Sequence, residues 1–78
     1  MNKKIMEQRV LDIVNLVLEN RSKTKVNNLS PNDKLRETLG FDSLDLAELT
    51  VRIEDEFGVD IFEDGLINTV GEIYSKLG

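Results

Sequence analysis

Leu46, Leu49, Ile53 and Phe57 recur three or four residues apart, and this spacing constrains the fold of the 78-residue chain more than any other feature. At roughly 100° per residue the four side chains share one face of a helix running from about Ser43 to Phe57. An apolar face needs a partner, and the chain offers two more. From Lys3 to about Asn20, Met6, Val10, Ile13, Val14 and Val17 alternate with Glu7, Gln8, Asp12, Asn15 and Glu19 in an amphipathic pattern. Leu11 and Leu18 widen that face, so this helix should pack against more than one neighbour. Near the end, Thr69 to Glu72 has the spacing of a capping box, and Val70, Ile73, Tyr74 and Leu77 continue at helical period. A chain this short forms one domain, residues 1–78, with a modest core and little room for a buried catalytic cleft.

The connections carry their own signals. Residues 21–28 are polar and aperiodic and read as a long first loop, pinned by Val26 and Leu29. Ser30-Pro31-Asn32-Asp33 is a helix-start pattern, which predicts a short helical turn placing Leu35 and Leu39 inward, ended by Gly40. Gly58 closes the second main helix, and Val59 and Ile61 anchor the next segment. Glu63-Asp64-Gly65-Leu66-Ile67 has room only for a short helical turn, weakened by Gly65. The expectation is an all-α four-helix bundle with a long first loop and a short third helix.

Composition excludes several chemistries. The chain has no Cys and no His, so disulfides, thiolate ligands, the usual zinc sites and a histidine general base are all missing. No metal site is expected. The basic start, Met1-Asn2-Lys3-Lys4, runs into Glu7, Arg9 and Asp12 and does not resemble a signal peptide. No stretch of about 18 apolar residues is present to span a membrane, and a soluble, cytoplasmic chain is expected. The net charge of -5 is unevenly spread: residues 1–39 hold eight basic and five acidic side chains, residues 40–78 two and ten. Such a field repels nucleic acid and attracts basic partners.

The acidic half contains Gly40-Phe41-Asp42-Ser43-Leu44-Asp45, where a glycine turn hands over to the best patterned helix. Asp42 is placed as its N-cap. The first N–H groups of a helix lack internal partners and carry the positive end of its dipole, so an anion attached at Ser43 would be stabilised. Without a base in the chain to take its proton, the Ser43 hydroxyl is an acceptor and not a catalyst. Leu44, Ala47 and Val51 form a second apolar stripe nearly opposite the core face, framed by Glu48, Glu54 and Asp55. Burying the first stripe should leave this one exposed, as a docking surface for a basic, partly apolar partner. Arg52 stands four residues from both Glu48 and Glu56, spacing that suits intrahelical pairing.

With these residues in place, Asp42-Ser43-Leu44-Asp45 after Gly40, followed by an acidic amphipathic helix, resembles the prosthetic-group site of acyl carrier proteins. The resemblance implies that a phosphopantetheinyl transferase attaches 4'-phosphopantetheine covalently to Ser43, and that the arm's thiol carries acyl groups as thioesters. It implies a monomeric shuttle, not an enzyme, serving fatty-acid, lipid or polyketide biosynthesis. Partners would be acyl-loading and acyl-processing enzymes with basic docking surfaces, meeting Asp42, Leu44, Asp45, Ala47, Glu48, Val51, Glu54 and Asp55. Three features depart from the family pattern: Phe41 replaces a small residue, Arg52 puts a cation beside the acidic face, and the segment between Phe57 and Thr69 is short. An aminoacyl carrier of the same fold, D-alanyl or peptidyl, is the alternative, after which comes a cofactor-free acidic adaptor. Crowding of Asp42, Asp45, Glu48, Glu54, Asp55 and Glu56 on one helix predicts that salt or divalent cations raise the melting temperature.

Overall fold

The computed structural model describes residues 2–78. Three helices account for the regular structure among them: α1 (Lys3–Asn20), α2 (Ser43–Phe57) and α3 (Val70–Leu77). Each starts on a side-chain cap: Asn2 accepts from the Lys4 N–H, Asp42 from the Asp45 N–H and Thr69 from the Glu72 N–H. The caps of α2 and α3 are full capping boxes, the second at the spacing read from Thr69 and Glu72. Gly58 ends α2 in the left-handed region at φ 71°, a conformation that costs other residues about 1 kcal/mol or more.

The apolar faces meet as their spacing requires. Val10, Val14 and Val17 from α1, Leu49 and Ile53 from α2, and Val70 and Ile73 from α3 have no exposed surface. The connections complete the core with Leu35, Phe41, Ile61 and Ile67, all buried. Val26 and Leu29 pack against it from the long loop. That loop is also held by Asn15, whose side chain donates to the Val26 carbonyl at 2.9 Å and accepts from its N–H at 2.8 Å.

One segment differs from expectation, and a second forms its helical turn later than its start pattern implies. The short third helix is a turn at residues 61–64, closed by bonds from Glu63 N–H to the Asp60 carbonyl and from Gly65 N–H to the Phe62 carbonyl. One turn fixes several residues for few bonds, and Gly65 at φ 126° then leaves helical space, so propagation never begins. The helix-start pattern at Ser30 forms its local bond, Ser30 N–H to Asp33 Oδ2 at 2.8 Å, but the chain is then drawn toward α3. Lys34 pairs with Thr69 in an isolated antiparallel bridge, with Leu35 N–H bonded to the Asn68 carbonyl and Val70 N–H to the Asp33 carbonyl. The expected helical turn follows at residues 35–39, with the Thr38 N–H bonded to the Lys34 carbonyl and the Gly40 N–H to the Arg36 carbonyl; Leu35 is buried, Leu39 packs against the core, and Gly40, at φ 75°, ends the turn at the head of α2.

Candidate functional site

The head of α2 is built from the turn upward. The positive φ of Gly40 reverses the chain so that Phe41, 3% exposed, drops into the core while its N–H bonds to the Leu35 carbonyl at 2.9 Å. Phe41 is thus an anchor for the turn. Asp42 and Asp45 then bond reciprocally, each carboxylate accepting from the other's N–H at 3.0 Å. Ser43 is the first residue of α2 and is exposed, flanked by these fixed neighbours.

Basic residues beyond the end of α1 reinforce the cap from outside. α1 ends with Lys23 N–H bonded to the Leu18 carbonyl and Ser22 N–H to the Glu19 carbonyl, a Schellman pair with Ser22 in the left-handed region at φ 58°. Arg21 then reaches Asp42 Oδ2 and Asp45 Oδ1, each at 3.2 Å. Lys23 Nζ lies 2.5 Å from Asp45 Oδ2 and donates to the Gly40 carbonyl at 2.8 Å. Asp45 Oδ1 makes no hydrogen bond, so its compensation is the ionic contact with Arg21. The hydrogen bond from the Asp45 N–H, helped by the charges of Arg21 and Lys23, holds the Asp42 carboxyl below its ordinary range.

The expected docking residues divide into distinct groups. Leu44 and Val51 are 65% and 62% exposed, and Ala47 is exposed between them, so the second apolar stripe faces solvent. Glu54 and Asp55 are exposed and lie outside every ion pair among the described residues. Asp42 is exposed but bound to Arg21. Glu48 is half-buried and held by Asn20 at 2.9 Å and Arg52 at 2.8 Å, contacts that lower its carboxyl below its ordinary range. Asp45 does not belong on this surface: it is fully buried, because it closes the cap and lies under Arg21 and Lys23. Arg52 meets Glu48 as its spacing suggests, whereas Glu56 pairs across to Arg9 on α1 at 2.6 Å.

Two residues join the site without a signal in the sequence. A shallow groove of about 270 Å³ beside Ser43 is lined by Arg36, Leu46, Ala47, Thr50, Phe62 and Leu66. Leu66 is 82% exposed and carries the apolar surface beyond α2. Leu66 and Arg36 come from connections without periodicity, so no spacing rule points to either.

An exposed serine at a rigid helix start, beside an apolar groove, fits a tethered arm with an anionic root and a less polar body. A model of the family described as "Phosphopantetheine attachment site" matches residues 8–77. The chain belongs to this family of non-catalytic carriers, and its prosthetic group is 4'-phosphopantetheine held covalently on a serine. A phosphopantetheinyl transferase and client enzymes are the partners that such a carrier requires. No solved structure matches the chain. Among the described residues no helix is long and apolar enough to cross a membrane.

Proposed function

We propose that Ser43 is the attachment serine and that residues 1–78 act as one acyl carrier domain, presenting acyl thioesters to biosynthetic enzymes. The observation that carries this reading is the position of Ser43: exposed, first in α2, fixed by the Asp42–Asp45 box and open to an apolar groove. The remaining serines lack that setting. Ser22 sits in the α1 C-terminal turn, Ser30 in the 30–33 turn and Ser75 within α3. The groove walls of Leu46, Ala47, Phe62 and Leu66 favour a hydrocarbon cargo over a charged aminoacyl group, which would place an ammonium against apolar surface. Docking falls to the exposed stripe of Leu44, Ala47 and Val51, with Glu54 and Asp55 steering basic partners and Asp42 and Glu48 as paired rim contacts.

Intact mass after incubation with coenzyme A and a phosphopantetheinyl transferase tests the attachment. One arm is expected, and none on Ser43→Ala. A modified Ser43→Ala protein would overturn the assignment. Melting temperatures of a series loaded with lengthening acyl chains test the cargo. An acyl carrier should gain stability with length, since each buried methylene contributes up to about 0.8 kcal/mol. A flat series, alongside stable loading by an aminoacyl group, would favour the D-alanyl or peptidyl alternative.

A further inference from the structure

The groove beside Ser43 contains one charged side chain. Arg36 lines it together with Ser43, and the remaining walls are Leu46, Ala47, Thr50, Phe62 and Leu66. Thr50 does not compete for a ligand, because its hydroxyl donates to the Leu46 carbonyl at 2.8 Å. Among the described residues Arg36 is also the arginine without an ion pair: Arg9 is bound to Glu56, Arg21 to Asp42 and Asp45, and Arg52 to Glu48. Lys23, the other cation near the head of α2, is taken up by Asp45 and the Gly40 carbonyl. Arg36 thus lines a largely apolar groove beside the acidic α2 without a protein counter-ion among the described residues.

We propose that Arg36 is the counter-ion of the phosphodiester on Ser43, and that this pairing lays the prosthetic arm along the groove toward Phe62 and Leu66. The proposal rests on Ser43 as the attachment site. A phosphodiester carries one negative charge and presents two free oxygens, which the planar guanidinium fork can engage together. The need for such a cation is local. Attachment brings a negative group to a helix start already carrying Asp42 and Asp45, whose charges are balanced by Arg21 and Lys23 and leave no cation over. The helix dipole offsets part of the new charge, and Arg36 supplies the rest from the groove side. Arg36 is a positioning residue: its effect is on where the arm lies, not on whether the serine is modified.

The test uses the full chain, apo and loaded from coenzyme A by a phosphopantetheinyl transferase, as wild type, Arg36→Gln, Arg36→Lys and Lys34→Gln. Lys34 is a cation two residues away that does not line the groove. Intact mass and peptide mapping report loading; phosphorus NMR reports the phosphodiester; the Arg36 Nε–H resonance reports the guanidinium. In wild type and Lys34→Gln, the phosphorus resonance should be displaced from that of the same phosphodiester in urea-unfolded loaded protein, and the Arg36 Nε–H should move on loading. Arg36→Gln should bring the phosphorus resonance to that of the unfolded loaded protein, and Arg36→Lys should retain part of the displacement. Raising salt to about 1 M, where the screening length falls to about 3 Å, should do the same to wild type as Arg36→Gln. Normal loading with identical phosphorus spectra in wild type and Arg36→Gln, and an unmoved Arg36 Nε–H, would overturn the proposal while leaving Ser43 in place. Equal effects of Arg36→Gln and Lys34→Gln would also overturn it, since net charge would explain both. A mass increase that maps away from Ser43 would remove the attachment reading and this proposal with it. The Nε–H measurement needs no variant, so an unstable Arg36→Gln protein does not block the test.

Discussion

Lys23 Nζ bridges Asp45 Oδ2 at 2.5 Å and the Gly40 carbonyl at 2.8 Å, joining the loop after α1 to both ends of the turn that presents Ser43. The turn therefore does not depend on its own local bonds alone. Phe41 anchors it from below, the Asp42–Asp45 box closes it, and Lys23 and Arg21 cover it from the α1 side. As the proposed attachment serine, Ser43 gains from this rigidity, because placement errors of an ångström are costly in group transfer.

The buried carboxylate should dominate the stability of this arrangement. Asp45→Ala removes the reciprocal cap and leaves Arg21 and Lys23 facing an empty site, which should cost about 2–4 kcal/mol in urea unfolding. Lys23→Met should cost about 1–2 kcal/mol, since Arg21 still faces Asp45. Lys25→Met, which breaks only an exposed pair with Glu19, should cost less than about 1 kcal/mol. Equal losses for Lys23→Met and Lys25→Met would show that burial of Asp45 gives its ion pair no special weight.

Charge pairing also changes the expected response to salt. As a row of carboxylates alone, α2 should repel itself and be relieved by added ions. In the fold, Asp42, Asp45, Glu48 and Glu56 each have a cationic partner, supplied by Arg21, Lys23, Arg52 and Arg9. Among the described residues no acidic group is clustered as a metal site would require. Screening then weakens attractions as much as repulsions, and the melting temperature should shift by only a few degrees between about 0.05 and 0.5 M salt, with or without magnesium. A steep rise with either ion would mean that these pairs do not form in solution.

Much of this structure was legible in the sequence, and the divide is between local and non-local physics. The extents of α1 and α2, the caps at Asp42 and Thr69, the stop at Gly58 and the exposed Leu44, Ala47 and Val51 arise from spacing and propensity within a few residues. The fates of Asp45, Glu48 and Arg36 do not, because they depend on which residues of α1 and of the 31–39 connection come to face α2. The missing third helix has a different cause. Helical pattern at residues 63–67 was outweighed by the positive φ of Gly65, a backbone requirement that composition suggests without fixing.

Gly71 shows the non-local case most directly. Its N–H bonds to the Pro31 carbonyl, and a Cβ placed there would meet that oxygen at 2.9 Å and the Pro31 Cβ at 3.2 Å. Gly71→Ala should therefore push α3 away from the 31–35 segment and cost about 1–3 kcal/mol, despite the better helix propensity of alanine. Relaxed hydrogen-exchange protection at Leu35 and Val70, whose N–H groups bond across this seam, should accompany the loss. A Gly71→Ala protein as stable as wild type would show that the seam can open at no cost.

Acid should loosen the two capping boxes together. Hydrogen bonds from the Asn68 and Thr69 N–H groups lower the Glu72 carboxyl from its ordinary value of 4.5, as the Asp45 N–H lowers Asp42 from 3.8. Folded values below unfolded ones mean that this stabilisation is complete above the ordinary carboxylate range and is lost as pH falls through the folded values. Melting temperature should thus fall below about pH 4.5, and Glu72→Gln, which can still accept at the box but cannot titrate there, should flatten part of that fall. An unchanged acid profile in Glu72→Gln would assign the loss to other carboxylates.

The proposed docking face can be tested residue by residue because its carboxylates differ in freedom. Glu54 and Asp55 are exposed and unpaired among the described residues, so reversing either should change steering without disturbing an internal contact. Asp55→Lys and Glu54→Lys should each slow acyl transfer from a partner enzyme by roughly 3–10-fold at low salt, with the deficit shrinking as salt rises. Glu48→Lys removes the bonds from Asn20 and Arg52 as well, so it should lose stability in addition to rate. Val51→Asp, on a residue 62% exposed, should weaken the complex at all salt concentrations, because the loss is apolar contact and not charge. Asp12→Lys alters net charge identically from the exposed side of α1 and should leave transfer near wild type. If Asp12→Lys and Asp55→Lys slowed transfer equally, recognition would be set by total charge, and the stripe on α2 would have no claim to be the docking surface.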